Sequence, residues 1–187
     1  MPDTALPGTS RRQLLAALAA GAAPAVRAND TIYEGLPLIA LNEGRWDGTY
    51  RFVRPNGELV DEYDFRIRVS LSTDNARAYR QDSHYRWPDG RTAVLVFEAA
   101  YADRQLTWDN GRINGRLWEI SPDTLYLSFG FNEQPELSCH EMVQTFAEGR
   151  QRGRTWLWYK GNVLDRYTLI DERRVEDDSP LEWPEPG

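Results

Sequence analysis

The sequence holds one cysteine, Cys139, and two histidines, His84 and His140. One cysteine excludes an intramolecular disulfide framework and any multi-cysteine zinc site. The two histidines are too far apart to ligate together from one strand or helical turn. A metal site would need carboxylates assembled by the fold, and neither a metal nor another cofactor is expected. No run of about 18 apolar residues occurs, so no ordinary membrane-spanning helix is encoded. There is no Gly-rich phosphate loop, no dinucleotide-binding fingerprint and no G-x-S-x-G elbow. The net charge of −7 and pI near 4.9 argue against a phosphate-backbone reader. Aromatic residues are not scarce: seven Trp and nine Tyr in 187 residues exclude wholesale disorder. The length fits one domain with a full core.

The N-terminus reads as an address. Ser10-Arg11-Arg12-Gln13-Leu14-Leu15 matches a twin-arginine export signal, and an Ala-rich apolar stretch follows from Leu14 to Val26. That stretch is too short to span a bilayer, and small residues up to Ala28 offer a cleavage site. Residues 1–28 are therefore expected to direct the chain to the periplasm or beyond. Residues 29–175 are expected to form one domain, and 176–187 a loose, acidic, Pro-rich tail with Trp183 as its one anchor.

Within that domain the chain alternates β-rich runs with turn signals. Asn56-Gly57, Asp89-Gly90, Asn110-Gly111 and Gly161-Asn162 mark tight hairpins. Between the turns strands are expected near 46–54, 59–71, 76–87, 91–100, 104–109, 113–120, 124–132, 137–147, 152–160 and 163–171. Several alternate with period two, as in Tyr63, Phe65, Ile67, Val69 and Leu71, or Leu125, Leu127, Phe129 and Phe131. The best helical candidate is Leu36 to Leu41, interrupted by Pro37. So many consecutive short-linked strands predict an all-β fold, an antiparallel up-and-down barrel of eight to ten strands, because closure removes exposed edges. A two-sheet β-sandwich is the alternative, and the short connections count against it.

Gly44-Arg45-Trp46, just before the first strand, resembles the G-x-W signature of the lipocalin and calycin barrels. Tyr85 to Arg91, Arg154 to Trp158 and Arg166 to Arg174 resemble a bacterial group of lipocalin-like domains, so the likeness covers most of residues 44–175. It implies that Trp46 packs across the closed end under an arginine from the last strand region: Arg166, Arg173 or Arg174. It also implies that Leu36 to Leu41 plugs that end, and that the barrel holds a ligand cavity. The T-D-x-Y motif and the disulfides of secreted lipocalins are missing.

Candidate site residues follow from strand alternation. His84 shares a face with Arg80, Asp82 and Arg86. If that face is luminal, His84 is a proton-transfer group beside charges. Cys139 and His140 point to opposite sides of one strand and cannot pair, and Cys139 reads as a small buried apolar residue. Glu141 is the second catalytic candidate, either as a buried acid or base or as the ion-pair partner of Arg154. Arg154, Trp156, Trp158 and Lys160 share a face suited to a flat ligand with an acidic end. Tyr85, Trp87, Trp108 and Trp118 complete the ligand-binding candidates. The resulting expectation is an exported barrel that binds a hydrophobic or aromatic small molecule, neutral or anionic. The alternative is a cofactor-free isomerase, lyase, cyclase or hydratase in the same cavity. A solid barrel is the third reading. No nucleic-acid partner is expected.

Overall fold

A computed structural model describes residues 30–184. The segment read as an export signal lies outside the described residues. Ten antiparallel strands close into one barrel: β1 Gly44–Val53, β2 Leu59–Leu71, β3 Tyr79–Arg86, β4 Thr92–Ala102, β5 Gln105–Asp109, β6 Ile113–Ser121, β7 Thr124–Phe131, β8 Gln134–Phe146, β9 Gln151–Lys160 and β10 Val163–Val175. Each pairs with its sequence neighbours, and β10 returns to β1 over nine residue pairs. The barrel expected from the hairpin ladder is therefore the fold, and the sandwich is not. The third strand starts at Tyr79 rather than 76, because Asn75–Arg77 form a 3-10 turn capped by Asp74. The tight hairpin turns behave as their dipeptides require; Gly90, for example, sits at φ 87°.

Among the described residues, two short helices precede the first strand, α1 Ile32–Gly35 and α2 Pro37–Leu41. Pro37 does not break a helix. It begins α2, where its missing N–H costs nothing. The buried Leu38 and Ile39 of α2 close one end of the barrel. The N-terminal amides of α2 that have no partner within the helix are taken up by Glu119 of β6, which accepts from Leu38 N at 2.6 Å and from Ile39 N at 3.3 Å.

Trp46 lies at this plugged end, fully buried, with its indole N–H donating to Asn42 O at 3.0 Å. Arg174 stacks on it at 4.6 Å, which selects one of the three arginines the resemblance offered. Arg152 of β9, which the sequence reading did not propose, covers the ring at 3.9 Å. From β10 to Trp183 the chain lies across the outer wall rather than hanging loose. Arg45 donates to Ser179 O and Pro180 O, and Arg68 to Asp177 O. Trp183 is flanked by the guanidinium groups of Arg66 and Arg86 at 4.1 and 4.2 Å.

The wall is not uniformly sealed. Eight residue pairs join β3 to β4, but only Ala100, Tyr101 and Ala102 of β4 pair with β5. Thr92 to Ala99 thus pair on one side only, leaving a slot in the wall towards the end opposite the plug. Amides on the free side of this segment should exchange with solvent orders of magnitude faster than those of β9, which is paired on both sides throughout. Residue-resolved hydrogen exchange checks this, and uniform protection along 92–99 would mean the slot is closed in solution.

Candidate functional site

Inside the barrel is a cavity of about 310 Å³, near the lower end of the usual range for small-molecule sites. Its floor is the plug, through Ile39 and Asn42. One wall, from β4 to β7, is apolar: Phe97, Leu106, Trp108, Leu117, Leu127 and Phe129. Trp108 meets Phe97 edge-on at 5.0 Å. Gly115 makes room for the indole, since a Cβ there would lie 2.6 Å from Trp108 Cζ2.

The opposite wall is polar. Along β3 the inward side chains form a hydrogen-bonded row, with Tyr79 OH donating to Gln81 Oε1 and Gln81 Nε2 to Ser83 Oγ, each at 2.9 Å. Burial pushes the Tyr79 phenol up to about 12, and burial also raises those of Tyr50 and Tyr85. All three therefore stay protonated near neutral pH and can donate hydrogen bonds. Beside them lies a buried ionic cluster. Arg154 donates from Nε to Glu141 and from Nη1 to Glu172 at 3.0 Å, and Arg152 pairs with Glu172. Burial disfavours the Arg154 charge, but Glu141, Tyr50 and Glu172 outweigh it and hold its pKa above the ordinary value. Two cations meet two anions, so this cluster carries no net charge.

Of the residues singled out from sequence, Tyr85, Trp108, Glu141, Arg154, Trp156 and Trp158 line the cavity. Trp156 packs edge-on against Tyr50 at 5.6 Å and Phe129 at 5.9 Å. Trp158 donates its N–H to Thr168 Oγ1 at 2.8 Å. Glu141 takes the second of the two roles open to it, as partner of Arg154. Cys139 is fully buried, and burial raises its thiol pKa.

Three placements differ from expectation. His84 is not luminal: Ser83 and Tyr85 point inward, so the side chain between them points outward, level with Arg66 of β2 and Val94 of β4. It has no place beside a luminal ligand. Trp118 is also outside. Leu117 takes the inward position, and Trp118 packs at a tilt against Tyr126 at 4.9 Å under Arg116. Trp87 does not line the cavity but sits at the end opposite the plug, 4.4 Å from the Tyr63 ring and bonded to Asp61. His140 likewise faces outward, with Nδ1 2.8 Å from Tyr126 OH.

Tyr50, Tyr79, Phe97, Phe129, Arg152 and Glu172 were not singled out. A usable signal existed for the third strand. Tyr79, Tyr85 and Trp87 make one face more aromatic than the charged face holding His84, and the more apolar face packs inward.

Fold and site together define an antiparallel barrel of the lipocalin-like class with a plugged end and an internal cavity. Within that class the chain belongs to the family described as domain of unknown function DUF3598, N-terminal, whose pattern matches residues 36–177. A DUF3598 protein of unknown function from Nostoc punctiforme PCC 73102 superposes with a TM-score of 0.57 at 16% identity. The match covers 73% of this chain and 49% of that protein, so the chain spans about half of its length. The S-type phycobiliprotein lyase CPES from Guillardia theta is similar at a TM-score of 0.57 and 13% identity, over 80% of this chain and 95% of the lyase. Rv2717c from M. tuberculosis is similar at 0.55 and 12%, over 76% and 98%. These likenesses show a shared fold. No curated protein sequence matches the chain significantly.

Proposed function

We propose that this protein binds a small, flat, largely apolar molecule inside its barrel, in the cell envelope. The observation that carries this reading is the cavity itself: about 310 Å³, with aromatic rings on both walls and donors along one of them. The compensated charges of the Arg152, Arg154, Glu141 and Glu172 cluster favour a neutral ligand body. Arg112, which also lines the cavity, makes no ion pair among the described residues and is available to an anionic end. That the same barrel serves a phycobiliprotein lyase in Guillardia theta lends support to a luminal small-molecule site. Binding is favoured over acid–base catalysis because His84 and His140 lie outside and Glu141 is committed to Arg154.

The test is titration with Prodan, a neutral planar naphthalene dye whose emission shifts to the blue on leaving water. One site with micromolar affinity is expected. Leu127→Trp, which fills the cavity from the apolar wall, should weaken it at least tenfold while the fold survives. Dye binding unaffected by this substitution would place the site elsewhere.

Export rests on Ser10 to Leu15 and the Ala-rich stretch behind them. Intact-mass spectrometry of protein recovered from the cell envelope should show residues 1–28 removed. Recovery of the uncleaved chain from the cytoplasm alone would contradict it.

A further inference from the structure

We infer that the ligand enters and leaves sideways, through the slot between β4 and β5, and not through the hairpin-rimmed end of the barrel. This deepens the binding reading above and rests on it.

The first observation is the pairing. Beyond Ala100 the two strands separate, and no residue of Thr92 to Ala99 pairs with β5. The second is exposure. Leu95 belongs to the inward set of β4 with Phe97 and Ala99, yet it is 53% exposed. An inward residue of a sealed wall would be covered by the neighbouring strand. Val94 and Val96 beside it are 59% and 50% exposed, so the β4 lip of the slot is apolar.

The third is the lining. Residues from both lips border the internal cavity: Leu95, Val96 and Phe97 from β4, Asn110 and Arg112 from the turn that ends β5. The cavity is therefore continuous with the slot. At its inner edge Phe97 and Trp108 meet edge-on at 5.0 Å, where main-chain pairing has already ended. Two rings at that point form a gate that side-chain rotation opens, with no main-chain hydrogen bond to break.

The fourth concerns the competing route. The hairpin-rimmed end is filled by inward side chains in contact from strand to strand. Trp87 lies 4.4 Å from Tyr63, and Tyr63 5.6 Å from Phe52. Arg166 then bridges Phe52 and Trp158, at 5.9 and 5.0 Å. None of Trp87, Tyr63 or Phe52 lines the cavity. A ligand taking that route must displace several packed rings, whereas the slot asks for one pair to turn. The chemistry of the lips describes the traveller: a flat apolar body passes edge-on over Leu95 and Val96, and Arg112 on the far lip meets any anionic group it carries.

Stopped-flow kinetics with Prodan tests this. Val94→Trp adds bulk on the exposed apolar lip at a residue that does not border the cavity, where it costs the fold little. It should slow association and dissociation together by at least tenfold, with the equilibrium constant changed by less than about threefold. Phe97→Ala, which removes half of the gate, should speed both. Val163→Trp, on the hairpin rim at the opposite entrance, should change neither rate. Slowing by Val163→Trp with no effect of Val94→Trp would overturn the portal and leave luminal binding intact. Rates unchanged by all three substitutions would overturn it too. Failure of the wild-type protein to bind Prodan at all would sink the binding reading and the portal with it.

Discussion

Glu172→Gln should lower the stability of this protein by about 3–5 kcal/mol, the usual effect of removing one partner from a buried charge network. The Glu172 side chain is 0% exposed and accepts from both Arg152 and Arg154. Without its charge, two buried guanidinium groups face the single carboxylate of Glu141. Desolvated cations have no water to fall back on, so the loss exceeds that of a surface pair, typically below about 1 kcal/mol. For a chain of this size the melting temperature should fall by roughly 6–20 °C, at about 2–4 °C per kcal/mol. Thermal unfolding by circular dichroism measures it. A loss under about 1 kcal/mol would mean that water reaches the cluster. Glu172→Gln combined with Arg152→Met restores equal numbers of buried charges and should recover part of the loss, a coupling that a double-mutant cycle reads directly. Recovery will be incomplete, because Arg152 also covers the Trp46 ring.

Trp46→Ala should cost about as much, in the range of roughly 3–5 kcal/mol seen for large aromatic residues cut to alanine in cores. The ring is fully buried, lies between the guanidinium groups of Arg152 and Arg174, and its N–H is bonded to Asn42. Removing it leaves a cavity under the plug, two unstacked cations and an unpaired carbonyl. Trp46→Phe keeps the stacking surface and loses chiefly the hydrogen bond, so it should cost only about 1–2 kcal/mol. Denaturant titration separates the two variants. Equal losses would show that the indole N–H, not the ring, holds the plug. Because Asn42 also forms part of the cavity floor, Trp46→Ala should loosen Prodan binding as well.

How far the sequence reached depended on how local each feature was. The strand positions and hairpins were legible because period-two alternation and Asn-Gly or Asp-Gly turns act within a few residues. The run from Arg154 to Trp158 was legible as a ligand-facing candidate because its alternation leaves one aromatic, cationic face. The third strand was only partly legible. Its two faces carry Tyr85 and His84 as neighbours; the aromatic excess of the Tyr85 face pointed inward, and the packing of Tyr85 against Tyr50 at 6.0 Å inside the barrel settles it. Trp118 misled for the same reason, since a tryptophan packed outside against Tyr126 has the same local sequence signal as one inside.

The likeness to the lipocalin barrels implied the plugged end at Trp46; by itself the sequence determined an all-β chain of ten hairpin-linked strands and the lack of cysteines for a disulfide framework. Each of these is set by neighbouring residues or by composition. Tertiary structure alone decided which arginines cover Trp46, that Glu141 and Glu172 neutralise Arg152 and Arg154, and that β4 and β5 part to leave a slot. These depend on closing the barrel, which brings β1 against β10 across the whole domain and sets the level at which each strand's side chains meet. Strand periodicity carries no information about that level, so charge pairing and the gap in the wall become visible only once the ring of strands is complete.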